Sequence, residues 1–157
     1  MLKIKGFSIL LAVIMLLSFA GSSFAAPTDI QWWHAMRGAR GEVVQSIVDS
    51  FNNSQSDYRV IATYKGAYDE VVNAGVAAVR AGKQPHILQS FEVGTQTMML
   101  SGAIYPVYEL MADKGYKVDW SKYLQPVLSY YMNADGNLMS MPFNSSTPVM
   151  YYNVDLF

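Results

Sequence analysis

The chain has 157 residues, 52% of them apolar and 15% charged, which is enough for about one domain with a packed core and too apolar for a disordered chain. Its 11 basic and 12 acidic residues leave a formal charge of −1, without the basic footprint of a nucleic-acid-binding protein. Cysteine is absent, so neither a disulfide framework nor a thiolate metal site is available.

Part of the apolarity is confined to the N-terminus. Lys3 and Lys5 form a positive start, Phe7 to Ala20 is an almost unbroken apolar run, and Ser23-Phe24-Ala25 places small residues where a signal peptidase reads them. This predicts a secretory signal peptide over residues 1–25, cleaved after Ala25; the run is short for a membrane span. Cleavage removes Lys3 and Lys5 from the 11 basic residues, leaving 9 against 12 acidic ones, a charge of −3. With no cysteine at the expected mature N-terminus, no lipid anchor is expected there. An exported, soluble, disulfide-free product is expected in a bacterial periplasm.

In chain order, Asp29–Trp33 reads as a first strand, and Arg37 to Gly41 as a glycine-containing turn. Val43, Val44, Ile47, Val48 and Phe51 recur at helical spacing from Glu42 to Phe51. Tyr58 to Tyr64 alternates as a second strand. Lys65-Gly66-Ala67 turns into a helix with Tyr68, Val71, Val72, Gly75, Val76 and Val79 on one face, stopped by Gly82. Pro85 to Phe91 reads as a third, largely buried strand, and Thr95 as the N-cap of a helix carrying Met98, Met99 and Leu100. Short helices are expected over Pro106–Met111 and within Asp119–Tyr131, and a tight turn at Asp135-Gly136. After them come the proline-bounded polar run 142–148 and an apolar stretch, Val149–Tyr152, that reads as a buried strand. Asp155 looks like a helix N-cap with two residues after it, which reads as the front part of a longer sequence.

Strands alternating with helices at these lengths predict an α/β domain with a mainly parallel sheet. Ligands of such sheets sit beyond the carboxyl ends of the strands. That rule selects Trp33-His34, Gly66 to Tyr68 and Glu92 to Thr95, which should converge on one edge.

Catalytic constellations are weak. Ser145 and Ser146 lie in no Gly-x-Ser-x-Gly turn. His86 lies inside the third apolar run and reads more readily as a core histidine than as a catalytic one. Glu92 and Asp135 could form a glycosidase carboxylate pair, but an acidic chain offers many such pairs. No Walker or Gly-x-Gly-x-x-Gly loop is present. Binding fits better. Glu92 at a helix start is favoured by the dipole and can accept bonds from ligand hydroxyls, or it can simply stabilise the helix. The hydroxyls and amide of 144–147 can bond a ligand or their own backbone. Tyr68 can face a ligand or pack on the sheet.

Several segments are similar together to one family. Trp33-His34-Ala35-Met36 with Gly38, Tyr64-Lys65-Gly66 with Tyr68, Gly75-Val76-Ala77-Ala78, Glu92-Val93-Gly94-Thr95 with Thr97-Met98-Met99, and Pro142 to Pro148 resemble the family 1 extracellular solute-binding proteins of ABC importers. They do so in order and with matching spacing, and most of all they resemble members that take glycerol phosphate. The resemblance implies a type II periplasmic-binding-protein-like lobe, one of two α/β lobes that close like a clamp. Residues 26–157 would be its incomplete N-terminal part, truncated before the second lobe. It implies sn-glycerol 3-phosphate as ligand, with glycerophosphodiesters as further candidates. It also implies delivery to inner-membrane ABC permease subunits, no enzymatic activity, no cofactor or metal, and a monomer when complete. The family's binding residues fall on Tyr68, Glu92 and Ser146. A sugar or maltodextrin receptor is the alternative within the class, and a secreted glycoside hydrolase the alternative outside it.

Overall fold

The computed structural model describes residues 26–146 and 148–156. The expected signal peptide, residues 1–25, lies outside the described residues, as does Thr147 of the polar run. The described residues form the expected α/β arrangement around a parallel three-stranded sheet. Strand β1 (Thr28–His34) pairs with β2 (Tyr58–Tyr64) along its whole length, from Thr28 opposite Tyr58 to His34 opposite Tyr64. On its other side β1 pairs with β3 (Ile87–Leu88), Trp32 opposite Ile87 and Trp33 opposite Leu88. The order is therefore β2-β1-β3.

Helix α1 (Ala39–Ser54) carries the chain from β1 to β2, and α2 (Tyr68–Arg80) carries it back across β1 to β3. The two crossovers step in opposite directions. Because such connections are right-handed, the helices take opposite faces, and a crevice opens between the carboxyl ends of β1 and β3.

The elements follow from their residues, with instructive departures. Helix α1 begins at Ala39 rather than Glu42, because Gly38 supplies a positive φ of 56° at its N-cap. Only Val44 and Val48 of its apolar positions are buried; Val43, Ile47 and Phe51 stay exposed, since the helix packs mainly on β2. Near its end, Asn52 donates from Nδ2 to Val60 O (3.0 Å) and accepts from Val60 N at Oδ1 (2.8 Å), satisfying the outward-facing backbone of an edge strand. Helix α2 buries Val71, Val72, Gly75 and Ala78. A Cβ on Gly75 would stand 2.7 Å from Leu88 Cδ2, so the glycine is what lets α2 lie close over β3.

The third strand is shorter than the expected 85–91 and is not largely buried. His86 is exposed, not a core residue: its Nδ1 accepts from Gln31 N (3.0 Å), and its own N–H donates to Gln31 O (3.0 Å). An imidazole thus takes the place of a ladder carbonyl, and Pro85 before it has no N–H to give. Gln89 N bonds Trp33 O (2.9 Å), after which the chain leaves the sheet.

Helix α3 (Glu92–Leu100) starts three residues before Thr95. Thr95 is therefore not the N-cap; its Oγ1 donates back to Phe91 O (2.9 Å), and Phe91 occupies the cap position. Helix α4 (Val107–Asp113) follows, then a 3-10 turn at Trp120–Lys122, α5 (Gln125–Leu128) and a second 3-10 turn at Ser129–Tyr131. Met132 and Leu138 form an antiparallel bridge around the turn at Asp135-Gly136, where Gly136 has a φ of 81°. Tyr108 N bonds Leu138 O (3.0 Å), which ties α4 to this hairpin. Leu128 and Leu138 are both buried.

Val149–Tyr152 is not a buried strand. Met150 and Tyr151 are 90% and 93% exposed, and no strand pairs with them among the described residues. Apolar β-formers make a buried strand only where a neighbour supplies the ladder. Asp155 is no helix cap either: Asn153 Oδ1 accepts its N–H (2.9 Å) within a single turn.

Candidate functional site

The crevice at the carboxyl edge contains a cleft of about 350 Å³, whose wall includes Tyr68, Phe91, Glu92, Tyr131, Asn144, Ser145 and Ser146. Four separate segments of the chain meet there. Tyr68 is the first residue of α2, placed by the turn at Gly66, whose φ of 100° would strain any other residue. Glu70 reinforces that start by accepting from Ala67 N (2.6 Å). The Tyr68 ring stacks on Phe91 with centroids 5.5 Å apart and planes at 26°.

Glu92 is the first residue of α3 and is exposed; among the described residues its carboxylate has no hydrogen-bond or ion-pair partner. A carboxylate at a helix start, facing a cleft and unengaged, is an acceptor ready for hydroxyl donors. Its charge is felt nearby. The Tyr131 phenol is pushed above its ordinary range, first by burial and then by the proximity of Glu92 and Tyr68. Its hydroxyl donates a hydrogen bond to Asn144 O (3.2 Å).

Ser145 and Ser146 both line the cleft, and neither bonds its own backbone among the described residues. The polar run is anchored around them. Phe143 packs edge-on against Trp32 (5.3 Å, 83°), and the Asn144 side chain bridges Gln89 and Tyr68. Gln89 is 6% exposed and was not legible as a site residue. Its only sequence signal is an amide directly after Ile87-Leu88, at the point where the third strand ends. Phe91, Tyr130 and Tyr131 carried no such signal.

The other candidates of the sequence are not brought here. Asp135 lies on the hairpin turn and lines no cleft with Glu92. Trp33 lies under Lys65, whose Nζ stands 4.2 Å from the ring centroid. His34 is buried; its Nδ1 accepts from Met36 N (3.2 Å), and burial holds its pKa below the ordinary value. A neutral, bonded, buried histidine supports the end of β1 and offers no base to the cleft. Among the described residues, no cluster of three or more His, Asp or Glu could hold a metal ion.

A model of the bacterial extracellular solute-binding proteins matches residues 46–157. The chain belongs to that family. Membership in this binding family removes the hydrolase reading. This chain is 45% identical over 158 residues to the sn-glycerol-3-phosphate-binding periplasmic protein UgpB of Agrobacterium fabrum, covering 99% of this chain and 36% of the relative. It is 47% identical over 148 residues to UgpB of Salmonella typhimurium, covering 94% of this chain and 34% of the relative. The crystal structure of UgpB from Mycobacterium tuberculosis in complex with glycerophosphocholine superposes with a TM-score of 0.64 at 22% identity, over 76% of this chain and 30% of that one. This likeness shows the same fold. The chain spans about a third of the length of the relatives it matches.

Proposed function

We propose that this chain forms the hydroxyl-recognising wall of a periplasmic receptor for sn-glycerol 3-phosphate, serving an ABC importer, with Tyr68, Glu92 and Ser146 as its ligand contacts. One observation carries the reading: residues 68, 92 and 146, from three separate segments, line a single cleft at the carboxyl edge of the sheet. The chemistry suits a small polyol ester. Glu92 accepts from vicinal hydroxyls, Tyr68 and Ser146 donate to or accept from oxygen, and the Tyr68–Phe91 stack gives an apolar floor for the carbon chain. The curated relatives are named for sn-glycerol 3-phosphate, and a glycerophosphodiester occupies the structural neighbour. Glycerophosphodiesters are therefore the second ligand class proposed.

The described site includes no lysine or arginine in its wall. Recognition of the phosphate is accordingly assigned to residues contributed from outside this cleft. The test is calorimetry on a chimera in which this chain replaces the aligned segment of the Agrobacterium fabrum relative. Glycerol 3-phosphate and glycerophosphocholine should bind, and maltose should not. Binding of maltose in preference to either phosphate would establish the sugar-receptor alternative.

A further inference from the structure

Three amides and a phenol form one directed chain that ends in the wall of the cleft. Ala35 N, at the end of β1, donates to Gln89 Oε1 (2.9 Å). Gln89 Nε2 donates to Asn144 Oδ1 (2.9 Å). Asn144 Nδ2 donates to the Tyr68 hydroxyl (3.1 Å). The chain starts at a backbone N–H, which can only donate, so the orientation of every later group is dictated. Gln89 must turn its oxygen to Ala35 and its nitrogen to Asn144. Asn144 must then turn its oxygen to Gln89 and its nitrogen to Tyr68. At the far end the phenol oxygen has an acceptor site filled by a protein donor, and its own proton has no protein acceptor among the described residues.

We propose that Gln89 and Asn144 are positioning residues that set the polarity of Tyr68: with its oxygen accepting from Asn144, its hydroxyl proton is left to donate to the ligand. The inference rests on the reading of Tyr68 as a ligand contact. It divides the work of the cleft into a Glu92 side that only accepts and a Tyr68 side that donates. A ligand suited to both offers hydroxyl donors at one end and an acceptor oxygen at the other, as a glycerol phosphate ester does. Gln89 is buried, its bonds to Ala35 and Asn144 are part-buried, and Phe91 stacks on Tyr68, so the first two links fix the direction that the exposed Asn144–Tyr68 link inherits.

Two isosteric variants reverse the direction without removing a side chain. Asn144→Asp keeps the bond from Gln89 but can only accept from Tyr68. Gln89→Glu, when ionised, keeps the bond from Ala35 and turns the Asn144 amide over, so that Asn144 Oδ1 accepts from Tyr68. The readout is the tyrosine Fermi doublet in the Raman spectrum of the unliganded chain, which distinguishes an accepting phenol from a donating one. The Tyr68 contribution is isolated by subtracting the spectrum of the Tyr68→Phe variant made in the same background.

Tyr68 should report an accepting hydroxyl in the wild type and a purely donating one in Asn144→Asp and in Gln89→Glu at alkaline pH. A doublet unchanged in Asn144→Asp overturns the proposal, even if Gln89→Glu fails to fold. In the chimera, Tyr68→Phe should weaken glycerol 3-phosphate binding about tenfold in the wild-type background and not at all beside Asn144→Asp. A doublet that reverses while Tyr68→Phe leaves binding unchanged upholds the relay and removes Tyr68 from the ligand contacts, so the two readings fail separately.

Discussion

Replacing Glu92 by glutamine tests whether the cleft is a binding site or only a helix start. The substitution preserves shape and keeps one acceptor oxygen, but it removes the charge and adds a donor that faces ligand hydroxyls. Two contributions can be lost. As the first residue of α3, Glu92 interacts favourably with the helix dipole, a term of about 0.3–1 kcal/mol at an exposed helix start. As an acceptor of ligand hydroxyls, a carboxylate makes charge-assisted hydrogen bonds of about 1.5–3 kcal/mol. Glu92 has no protein partner among the described residues, so the substitution breaks no ion pair and strands no buried donor. The binding term should dominate: Glu92→Gln in the chimera should raise the Kd for glycerol 3-phosphate roughly 10- to 150-fold. The melting temperature should move by no more than a few degrees. Titration calorimetry and a thermal melt on the same preparation measure both. Unchanged affinity with a lowered melting temperature would refute the reasoning and reassign Glu92 to stabilising α3.

Ser146→Ala should weaken binding more than Ser145→Ala, because the family's contact falls on residue 146. Both residues line the cleft, so calorimetry on the two variants decides which one the ligand uses. Stability should fall as the medium is acidified through the histidine range. His34 is buried and its folded pKa lies below the ordinary 6.5, so the unfolded state takes up the proton first. The neutral histidine costs nothing above about pH 6.5, and stability is lost as pH drops from there towards the folded value. Urea titrations at several pH values should show that decline, and His34→Gln should flatten it over this window; an identical slope in the variant would exclude His34 as its source. Exported protein should begin at Ala26, and mass spectrometry finding Met1 retained on periplasmic material would remove the signal-peptide reading.

The sequence by itself determined the local elements and their order. Tyr58–Tyr64 was legible to the residue because its alternation and flanking polar runs depend on nothing distant. The start of α2 at Tyr68 was legible because Gly66 and Glu70 act within one turn of it. The parallel sheet, and the edge of it proposed to bear ligand, followed from strand–helix alternation, since right-handed crossovers leave few other arrangements. Tertiary structure decided what those elements do for one another. The third apolar run shrinks to Ile87–Leu88 because the His86 side chain takes a ladder position, which no periodicity records. Val149–Tyr152 has the composition of a buried strand and lies exposed, because burial belongs to a strand's neighbours and not to its residues. The site shows the same division. Tyr68, Glu92 and Ser146 were named from short motifs and family spacing, but the hydrogen bonds that hold the cleft span separations of 54 to 76 residues, from Ala35 through Gln89 and Asn144 to Tyr68. A buried amide carries little meaning in one dimension. Its role is fixed only when the fold brings to it a donor that cannot be reversed.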